Sequence, residues 1–428
     1  MARPGSCRGQ RQPAVETVTG FPDDKAAETG TMGQGLRDLR SARLGGRSSL
    51  LQREKQMNRL WLTSIALGAS AFLAGTAAAQ DIAVGIAGPM TGQYAAFGTQ
   101  FKNGAELAVA DINAAGGVLG KKLKLEVGDD ACDPKQARAV AEKLASMKLP
   151  VVIGHFCSSS SIPASEPYAE SNVLQISPAS TNPQYTERGL WNTFRMCGRD
   201  DQQGAVAGAY LASAYKGKNI AILHDRSTYG KGLADETNAD LKKRGVKVAM
   251  YESYAQGDRD FTALVSRMKA ANIDVVYLGG YHTEGGLILR QMRDQGMKTM
   301  LVGGDALVTN EFWAITGTAG EGVRMTFGPD PRNKPAAKAV VAKFKAKGID
   351  PEGYTLYSYA SFQVWAQAAN KAKTTDPKKV AATIKSGKWP TVLGEMSFDK
   401  KGDITVLDYV WYEWKKDGSY AEIAGKTN

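Results

Sequence analysis

The stretch Pro150-Val-Val-Ile-Gly-His-Phe-Cys-Ser-Ser-Ser-Ser161 decides the fold class of this chain. It opens with a short apolar run, which is typical of a strand buried on both faces. Its serine-rich end predicts the start of a helix over Ser158–Glu170, and the apolar run Val173–Ser177 then predicts a second strand. Because the order is strand, helix, strand, we expect parallel strands joined by a crossover helix.

The same alternation continues on both sides of this stretch. Before it, the pattern predicts strands at Asp81–Gly88 and Lys122–Val127 and helices at Thr99–Ala115 and Pro134–Met147. After it, helices are predicted at Asp201–Tyr215, Tyr229–Arg244, Phe261–Ala271 and Glu284–Gln295, and strands at Ile220–His224, Val246–Tyr251, Ile273–Gly279 and Met300–Gly303. Two such series predict an α/β protein with two doubly wound parallel-sheet lobes.

After Gly328-Pro-Asp-Pro331 the pattern becomes helical and then ends in strands. The helices are predicted at Ala336–Lys347, Tyr354–Lys371 and Pro377–Ser386, and the strands near Met396–Phe398 and Val406–Trp414. We expect these helices to pack on the first lobe and the last strands to cross over again. The first lobe is therefore predicted over residues 81–199 and 329–408, and the second over residues 200–328 and 409–428.

The segment Met57–Ala79 has the pattern of a secretory signal peptide. One charge, Arg59, precedes a mostly apolar run, and the segment closes on the small residues Ala77-Ala-Ala79. The run is shorter than the roughly 20 apolar residues of a membrane span, and no cysteine follows it for lipid attachment. We expect a soluble periplasmic protein that begins near Gln80, with residues 1–56 a disordered or mis-called extension.

The net charge gives no indication of nucleic-acid binding. The chain carries +11, of which residues 1–79 contribute +5, so +6 remains on the rest of the chain, where it is scattered. Nucleic-acid binding would need a concentrated basic stripe with interleaved aromatic residues. We therefore expect no nucleic-acid partner.

Three cysteines, Cys132, Cys157 and Cys197, follow the predicted signal peptide. Cys132 and Cys157 flank predicted strand ends and can form a disulfide in an exported protein, which leaves Cys197 as a buried thiol. The only histidines are His155, His224 and His282. Neither they nor the cysteines have the spacing of metal ligands, so we expect no metal and no cofactor.

Three predicted strands end in residues that suit a small charged ligand, because open α/β sheets bind ligands beyond the carboxyl ends of their strands. Ser158 opens a helix whose N–H groups and dipole attract an anion, with plain N-capping as the alternative. Thr181 can offer its N–H and hydroxyl, unless it only forms an Asn-Pro turn. Asp305 can pair with a cation, unless it only caps a turn.

Aromatic residues also cluster near predicted loops, at Tyr94, Phe97, Tyr229, Tyr281 and Tyr357. An anion site, a cation site and aromatic walls in one cleft suit a zwitterionic amino acid. Enzyme signatures are missing: there is no Gly-x-Ser-x-Gly motif, and the glycines of Gly116–Lys122 have the wrong spacing for a phosphate loop. We therefore expect a binding protein and no enzyme, with a secreted hydrolase as the distant alternative.

Several segments resemble the periplasmic leucine/isoleucine/valine-binding proteins of ABC transporters. They are Gly88-Pro-Met-Thr-Gly92, Asp111-Ile-Asn-Ala-Ala-Gly-Gly117, Asp129-Asp-Ala-Cys-Asp-Pro134, Val152-Ile-Gly-His-Phe-Cys-Ser158, Ile176-Ser-Pro-Ala-Ser-Thr-Asn-Pro183, Asp225–Gly232, Gly279-Gly-Tyr281 and Tyr354-Thr-Leu-Tyr357. The resemblance covers essentially all of residues 81–428. It implies the type I periplasmic-binding-protein fold, with two lobes, three crossovers and a closing hinge.

The resemblance also implies roles for individual residues. Ser158 corresponds to the family's carboxylate-binding serine, and the backbone of Ala179 with the hydroxyl and N–H of Thr181 corresponds to its amino-acid clamp. Asp305 stands where other members have a glutamate that meets the ammonium group, and this shortening by one carbon is the main departure. The implied pocket walls are Phe97, Tyr229 and Tyr281, and the implied disulfide joins Cys132 and Cys157.

We thus expect a binding protein that closes on a branched-chain aliphatic L-amino acid: leucine, isoleucine or valine. The resemblance implies that it docks on an inner-membrane ABC transporter permease, and we expect a monomer that does not itself insert into the membrane. Two alternatives stay open. One is a binder of short amides, urea or other small polar ligands on the same fold, and the other is a receptor subunit that senses a ligand for a signalling partner.

Overall fold

The computed structural model describes residues 80–406 and 408–423. The predicted signal peptide Met57–Ala79 and the extension predicted before it lie outside the described residues. Within them, the predicted alternation of strands and helices builds two α/β lobes, each around its own sheet. The predicted fold class is therefore confirmed.

The first sheet contains five parallel strands with helices between them. The strands are β1 (Ile82–Gly88), β2 (Leu123–Asp129), β3 (Val151–Ile153), β4 (Leu174–Ser177) and β5 (Thr193–Arg195). The helices are α1 (Ala95–Ala114), α2 (Pro134–Ser146), α3 (Ser158–Glu170) and α4 (Gln184–Glu187). The strand order is β2-β1-β3-β4-β5, and every residue of β3, β4 and β5 is buried, as expected for strands with helices on both faces.

The second series of elements repeats this arrangement. Its strands are β6 (Ile220–His224), β7 (Met250–Ser253), β8 (Val275–Gly279), β9 (Met300–Gly303) and β10 (Arg324–Phe327). Its helices are α5 (Asp200–Ala214), α6 (Thr228–Lys243), α7 (Thr262–Ala270), α8 (His282–Asp294) and α9 (Asn310–Thr316). The paired neighbours among these strands all run parallel.

The last elements return the chain to both lobes. They are the helices α10 (Lys338–Ala346), α11 (Thr355–Ala372) and α12 (Pro377–Ser386) and the strands β11 (Trp389–Thr391), β12 (Gly394–Met396), β13 (Val410–Trp414) and β14 (Tyr420–Glu422). β11 and β12 pair only with each other, whereas β13 and β14 join the second sheet, whose order is β14-β13-β10-β9-β8-β6-β7. β13 runs antiparallel to β10, and β14 runs antiparallel to β13, in contrast to the parallel pairs of the remainder.

Helix α11 belongs to the core of the first lobe, as expected for a returning helix. The Ser358 hydroxyl donates to the Phe101 carbonyl on α1 at 2.8 Å. Gly104 permits this close approach, because a Cβ there would lie 2.3 Å from the Thr355 carbonyl oxygen. The chain thus crosses between the lobes three times, after β5, after β10 and after β12. The residue bounds of the lobes stay a prediction.

Two predicted strands lie several residues from their observed positions. The strand predicted at Val246–Tyr251 is β7, which begins at Met250, and the one predicted at Val406–Trp414 is β13, which begins at Val410. All four residues of β7 are only half-buried because β7 is an edge strand, so no clear alternation marks its ends. Val246 and Val248 before β7, and Val406 before β13, belong to connecting loops.

Candidate ligand-binding site

A small cavity lies where strand ends of the two lobes converge. Its lining residues are Phe156, Ser158, Ala179, Tyr229, Tyr281, Asp305 and Ala306, and its volume is about 10 Å³. The first three follow β3 and β4 in the first lobe, and the other four follow β6, β8 and β9 in the second. This volume is about that of a single water molecule, so the lining residues must move apart before a ligand can enter.

Ser158 occupies the carboxylate-facing side of the predicted site. It is the first residue of α3, and its hydroxyl accepts a hydrogen bond from the Asn182 N–H at 3.3 Å. The preceding Cys157 forms a disulfide with Cys132, which ties the start of α3 to the loop after β2. Because the first N–H groups of a helix have no partner inside it and the dipole is positive there, this end of the cavity suits an anion.

The neighbours of Ser158 have structural contacts. Among the four serines of the run, only Ser158 lines the cavity, and the Ser161 hydroxyl donates to the His155 carbonyl at 3.1 Å. Both ring nitrogens of His155 are engaged, with Nδ1 at 2.5 Å from Asp130 Oδ2 and Nε2 at 3.1 Å from the Tyr168 hydroxyl. In this arrangement His155 has no nitrogen available to act as a base for Ser158.

The loop after β4 carries Ala179 and Thr181. Ala179 lines the cavity, and Thr181 is buried beside it. Arg195 of β5 holds this loop, because its guanidinium donates to the Ser180 carbonyl at 2.7 Å and to the Asn182 carbonyl at 3.0 Å. These two bonds flank Thr181 and therefore fix the backbone on either side of it.

Asp305 supplies a carboxylate on the opposite side of the cavity. It follows β9 and is 3 % exposed. One oxygen accepts a hydrogen bond from the Tyr229 hydroxyl at 2.9 Å, and the other accepts one from the Tyr354 hydroxyl. Burial raises the pKa of Asp305, and the bonds from Tyr354 and Tyr229 oppose that rise. A cation at this position would offset the cost of the buried charge.

Aromatic rings form the remaining walls. Tyr229 and Tyr281 line the cavity with ring centroids 5.2 Å apart. Phe97 does not line it: its ring stacks at 4.1 Å on Phe156, which faces the cavity in its place. Phe97 thus supports the wall from behind, in edge contact with His282 at 5.2 Å between centroids.

The structure gathers five of the seven predicted ligand residues around this one cavity, and the other two, Thr181 and Phe97, lie next to lining residues. Sequence reasoning missed Phe156, Tyr354 and Arg195. Phe156 stands two residues before Ser158 in the decisive stretch, and that position was a usable signal. Tyr354 opens one of the segments that carry the family resemblance, and this too was a signal, whereas no local signal marks Arg195. The ligand contacts of all these residues stay predictions.

Comparison with known proteins places this arrangement in a family. A family model described as periplasmic binding protein matches residues 81–419. The chain belongs to the periplasmic binding protein family. This periplasmic binding protein is 50% identical over 370 residues to the Leu/Ile/Val-binding protein homolog 1 of Brucella suis, covering 86% of this chain and 100% of the relative. It is 53% identical over 354 residues to an amino acid binding protein of Pseudomonas aeruginosa, covering 81% and 94%.

A solved structure supports the same fold. The branched-chain amino acid transporter substrate binding protein LivJ from Streptococcus pneumoniae, in complex with isoleucine, superimposes with a TM-score of 0.72 at 26% identity, covering 80% of this chain and 99% of that chain. The resemblance drawn from the sequence is therefore confirmed. Among residues 80–406 and 408–423, this periplasmic binding protein has no helix with the length and apolar character that a membrane crossing requires.

Proposed function

We propose that this periplasmic binding protein captures a branched-chain aliphatic L-amino acid between its lobes and delivers it to an ABC transporter permease. One observation carries the proposal: a helix N-terminus with Ser158 and a buried carboxylate, Asp305, face one small cavity from opposite lobes. A molecule with both a carboxylate and an ammonium group satisfies both sides at once. The printed names of the relatives above support the same ligand class.

The carboxylate of the ligand would lie at the start of α3. There it accepts hydrogen bonds from the Ser158 hydroxyl and from the free N–H groups of the first helical turn, with Thr181 as a further donor. Charge-assisted bonds of this kind are roughly twice as strong as neutral ones. The Asn182 N–H already donates to the Ser158 oxygen, so the hydroxyl proton remains available for the ligand.

The ammonium group would lie between the Ala179 carbonyl and Asp305. Asp305 is one carbon shorter than the glutamate that the family resemblance implies at this position. Tyr229 and Tyr354 hold its two oxygens in fixed directions, which limits the entropy lost when a ligand binds. The aliphatic side chain would pack against Phe156, Tyr229 and Tyr281.

Capture requires the lobes to move. Ser158 is 1 % exposed and Asp305 is 3 % exposed, so a ligand reaches them only when the lobes separate. Closure then removes water from the ligand's charges and strengthens their hydrogen bonds. The closed form is the state that a permease would distinguish from the open one. In this proposal the protein is an exported, monomeric, non-catalytic carrier whose signal peptide is cleaved near Gln80.

Isothermal titration calorimetry tests the ligand class. The purified protein, refolded to remove any ligand from the cell, is titrated with leucine, isoleucine, valine, alanine, glutamate and acetamide. We expect micromolar or tighter binding of the three branched aliphatic amino acids. A response to acetamide with silence towards every amino acid would keep the fold but overturn the ligand.

The transport role has a separate test. A strain that lacks this protein should lose high-affinity uptake of radiolabelled leucine and regain it on complementation. If uptake persists while a leucine-dependent signalling response disappears, the protein is a receptor subunit and the delivery part of the proposal fails.

A further inference from the structure

Asp200 is a buried carboxylate that the ligand contacts proposed above do not use. It begins α5 at the first crossover, and its N–H donates to the Thr181 carbonyl at 3.0 Å. Its side chain is 0 % exposed, yet neither carboxylate oxygen has a hydrogen-bond partner among the residues that the structure describes. Most buried polar groups in proteins are paired, so this one calls for an explanation.

A second unpaired group lies beside it. The hydroxyl of Thr181, next to Asp200, is also buried and also without a partner within the described part of the chain. Thr181 belongs to the proposed amino-acid clamp and directly follows the Ala179–Ser180 backbone at the cavity. The Thr181 hydroxyl can donate to only one of the two Asp200 oxygens, so these three buried oxygens at the edge of the proposed ligand site still lack a second donor among the described residues.

Within the described part of the chain, the cation whose charge acts on Asp200 is Arg195. Its guanidinium is committed to Asp403 at 2.6 Å and to the carbonyls of Ser180 and Asn182. The other carboxylate of the cavity, Asp305, lies close enough for its charge to act on Asp200. Two acids that share one committed cation are costly to bury, and a positively charged donor beside Asp200 would lower that cost.

We propose that Asp200 is a second carboxylate of the ammonium subsite, which with Thr181 and Asp305 recognises the α-ammonium group of the bound amino acid. This inference rests on the proposed function and deepens it. It also explains how the site tolerates a short Asp305: the charge that balances the ammonium group is shared between two carboxylates, one at the first crossover and one after β9. The ammonium group of the ligand would then contact Asp200 at the first crossover as well as Asp305 after β9.

The pKa of Asp200 gives the proposal a measurable consequence, which is the release of a proton when the ligand binds. Burial raises its pKa, and the Asp305 carboxylate raises it further. The other titratable or charged groups around Asp200 are Arg195, Cys197, Asp201, Tyr229, Tyr277, Tyr281 and Tyr409. An ammonium group next to Asp200 would lower its pKa, so amino-acid binding should expel a proton from it.

The test compares Asp200→Asn with the matched control Asp201→Asn by calorimetry. Asp201 is the next residue on α5 and pairs with Arg199 at 2.7 Å, away from the cavity. Asp200→Asn should weaken leucine binding at least about tenfold and leave 4-methylpentanoate, which is leucine without its ammonium group, unaffected. Asp201→Asn should bind leucine like the wild type.

Proton release is measured in the same experiments with buffers of different ionisation enthalpy, between pH 5 and pH 8. The wild type should release more protons with leucine than with 4-methylpentanoate, and this difference should shrink in Asp200→Asn. Because burial also raises the pKa of Asp305, the same comparison in Asp305→Asn separates the two acids: the difference should persist in that variant, which keeps the inference testable even if Asp200→Asn does not fold. Equal proton release with both ligands, or an unchanged leucine affinity in Asp200→Asn, would overturn the inference alone. Silence of the wild type towards leucine would overturn the proposed function and this inference with it.

Discussion

At the scale of single residues, Ser158 and Asp305 face the cavity from opposite lobes, so their loss should have separable effects. Ser158→Ala removes a hydroxyl from the carboxylate end and leaves that charge under-paired in a closed site. We expect leucine affinity to fall by about 2–5 kcal/mol. The affinity for leucinamide, which has no carboxylate, should fall much less.

Ser159→Ala is the control, because Ser159 is the next residue of the same helical turn and does not line the cavity. Calorimetry on the three proteins measures the effect, and equal losses in both variants would contradict the assignment.

Asp305→Asn should weaken the binding of ligands that carry an ammonium group, whereas Ser158→Ala weakens the binding of ligands that carry a carboxylate. The amide oxygen can still accept from one of the two hydroxyls, Tyr229 or Tyr354, and its NH2 group can donate to the other, but the negative charge that faces the ammonium group is removed. We expect a loss of binding free energy of about 2–5 kcal/mol for leucine and almost none for 4-methylpentanoate.

Without ligand the Asp305→Asn variant should be no less stable than the wild type above pH 5, because the raised pKa of Asp305 means that its charged form opposes folding there. Calorimetry and thermal unfolding measure the two parts. An unchanged leucine affinity would show that the ammonium group does not bind at Asp305.

At the scale of secondary-structure elements, Arg195 links β5 to the third crossover and to the clamp loop, which is the loop after β4 that carries Ala179 and Thr181. Its side chain is fully buried and donates to the carbonyls of Ser180 and Asn182 and to Asp403. A lysine has one ammonium group and cannot reach these three acceptors together. Arg195→Lys should therefore weaken leucine binding by roughly tenfold, beyond a loss of folding stability of about 2–4 kcal/mol.

The neighbouring Arg199→Lys provides the matched control for this prediction. Arg199 also donates to Asp403, at 2.8 Å, but it has no contact with the clamp carbonyls. It should lose some stability in urea unfolding while its affinity for leucine stays close to that of the wild type. A folded Arg195→Lys protein with wild-type affinity would show that β5 does not position the clamp.

The elements also differ in how well the sequence predicts them. β6, β9, α3 and α12 were predicted with their observed bounds, because apolar runs or helix-start residues delimit them. The strands β5, β10, β11 and β14 and the helices α4 and α9 were not predicted, since three to seven residues are too few to establish a period. Their positions depend on neighbouring strands that pair with them, and that information is not local.

The candidate site divides in the same way. Ser158, Ala179 and Asp305 follow strongly patterned strands, so their convergence could be predicted from the rule that ligands bind beyond strand ends. Tyr354 comes from the returning helical segment, and Asp200 and Arg195 flank a crossover. Their approach to the cavity depends on how the two lobes meet, which no period in the sequence encodes. Phe97 was predicted as a wall of the pocket, but Phe156 lines the cavity and Phe97 stacks on it. The sequence does not show which of two stacked rings faces a ligand.

At the scale of the whole molecule, side chains outside the cavity join the lobes in the closed form. The Tyr94 hydroxyl, at the start of α1, lies 3.3 Å from a carboxylate oxygen of Glu284 on α8. The Thr283 hydroxyl donates to the Gln93 carbonyl at 3.2 Å. Gln256 completes this contact, because its amide donates both to the Tyr94 hydroxyl and to Asp225, each at 3.1 Å. Tyr94 of the first lobe thus contacts Glu284 directly and is linked to Asp225 through Gln256.

This contact predicts a pH dependence of closure. Burial raises the pKa of Asp225 to about 6. Opening of the lobes would expose it to water and return its pKa towards about 4. Since the closed form then holds the proton more tightly, its advantage is complete below the open-state pKa and is lost as the pH rises through about 6. Asp225 alone should therefore strengthen leucine binding up to about tenfold when the pH falls from about 7 to about 5.

Asp225→Asn isolates this contribution from the other groups that titrate in the same range. The variant keeps a hydrogen-bonding side chain of the same shape but cannot titrate, so its leucine affinity should change less between pH 7 and pH 5 than that of the wild type. Small-angle scattering without ligand should show the wild type shifting towards the compact form over the same range, with a smaller shift in the variant. Parallel pH profiles for the two proteins would mean that Asp225 stays buried when the lobes separate, and closure would then depend on the ligand contacts alone.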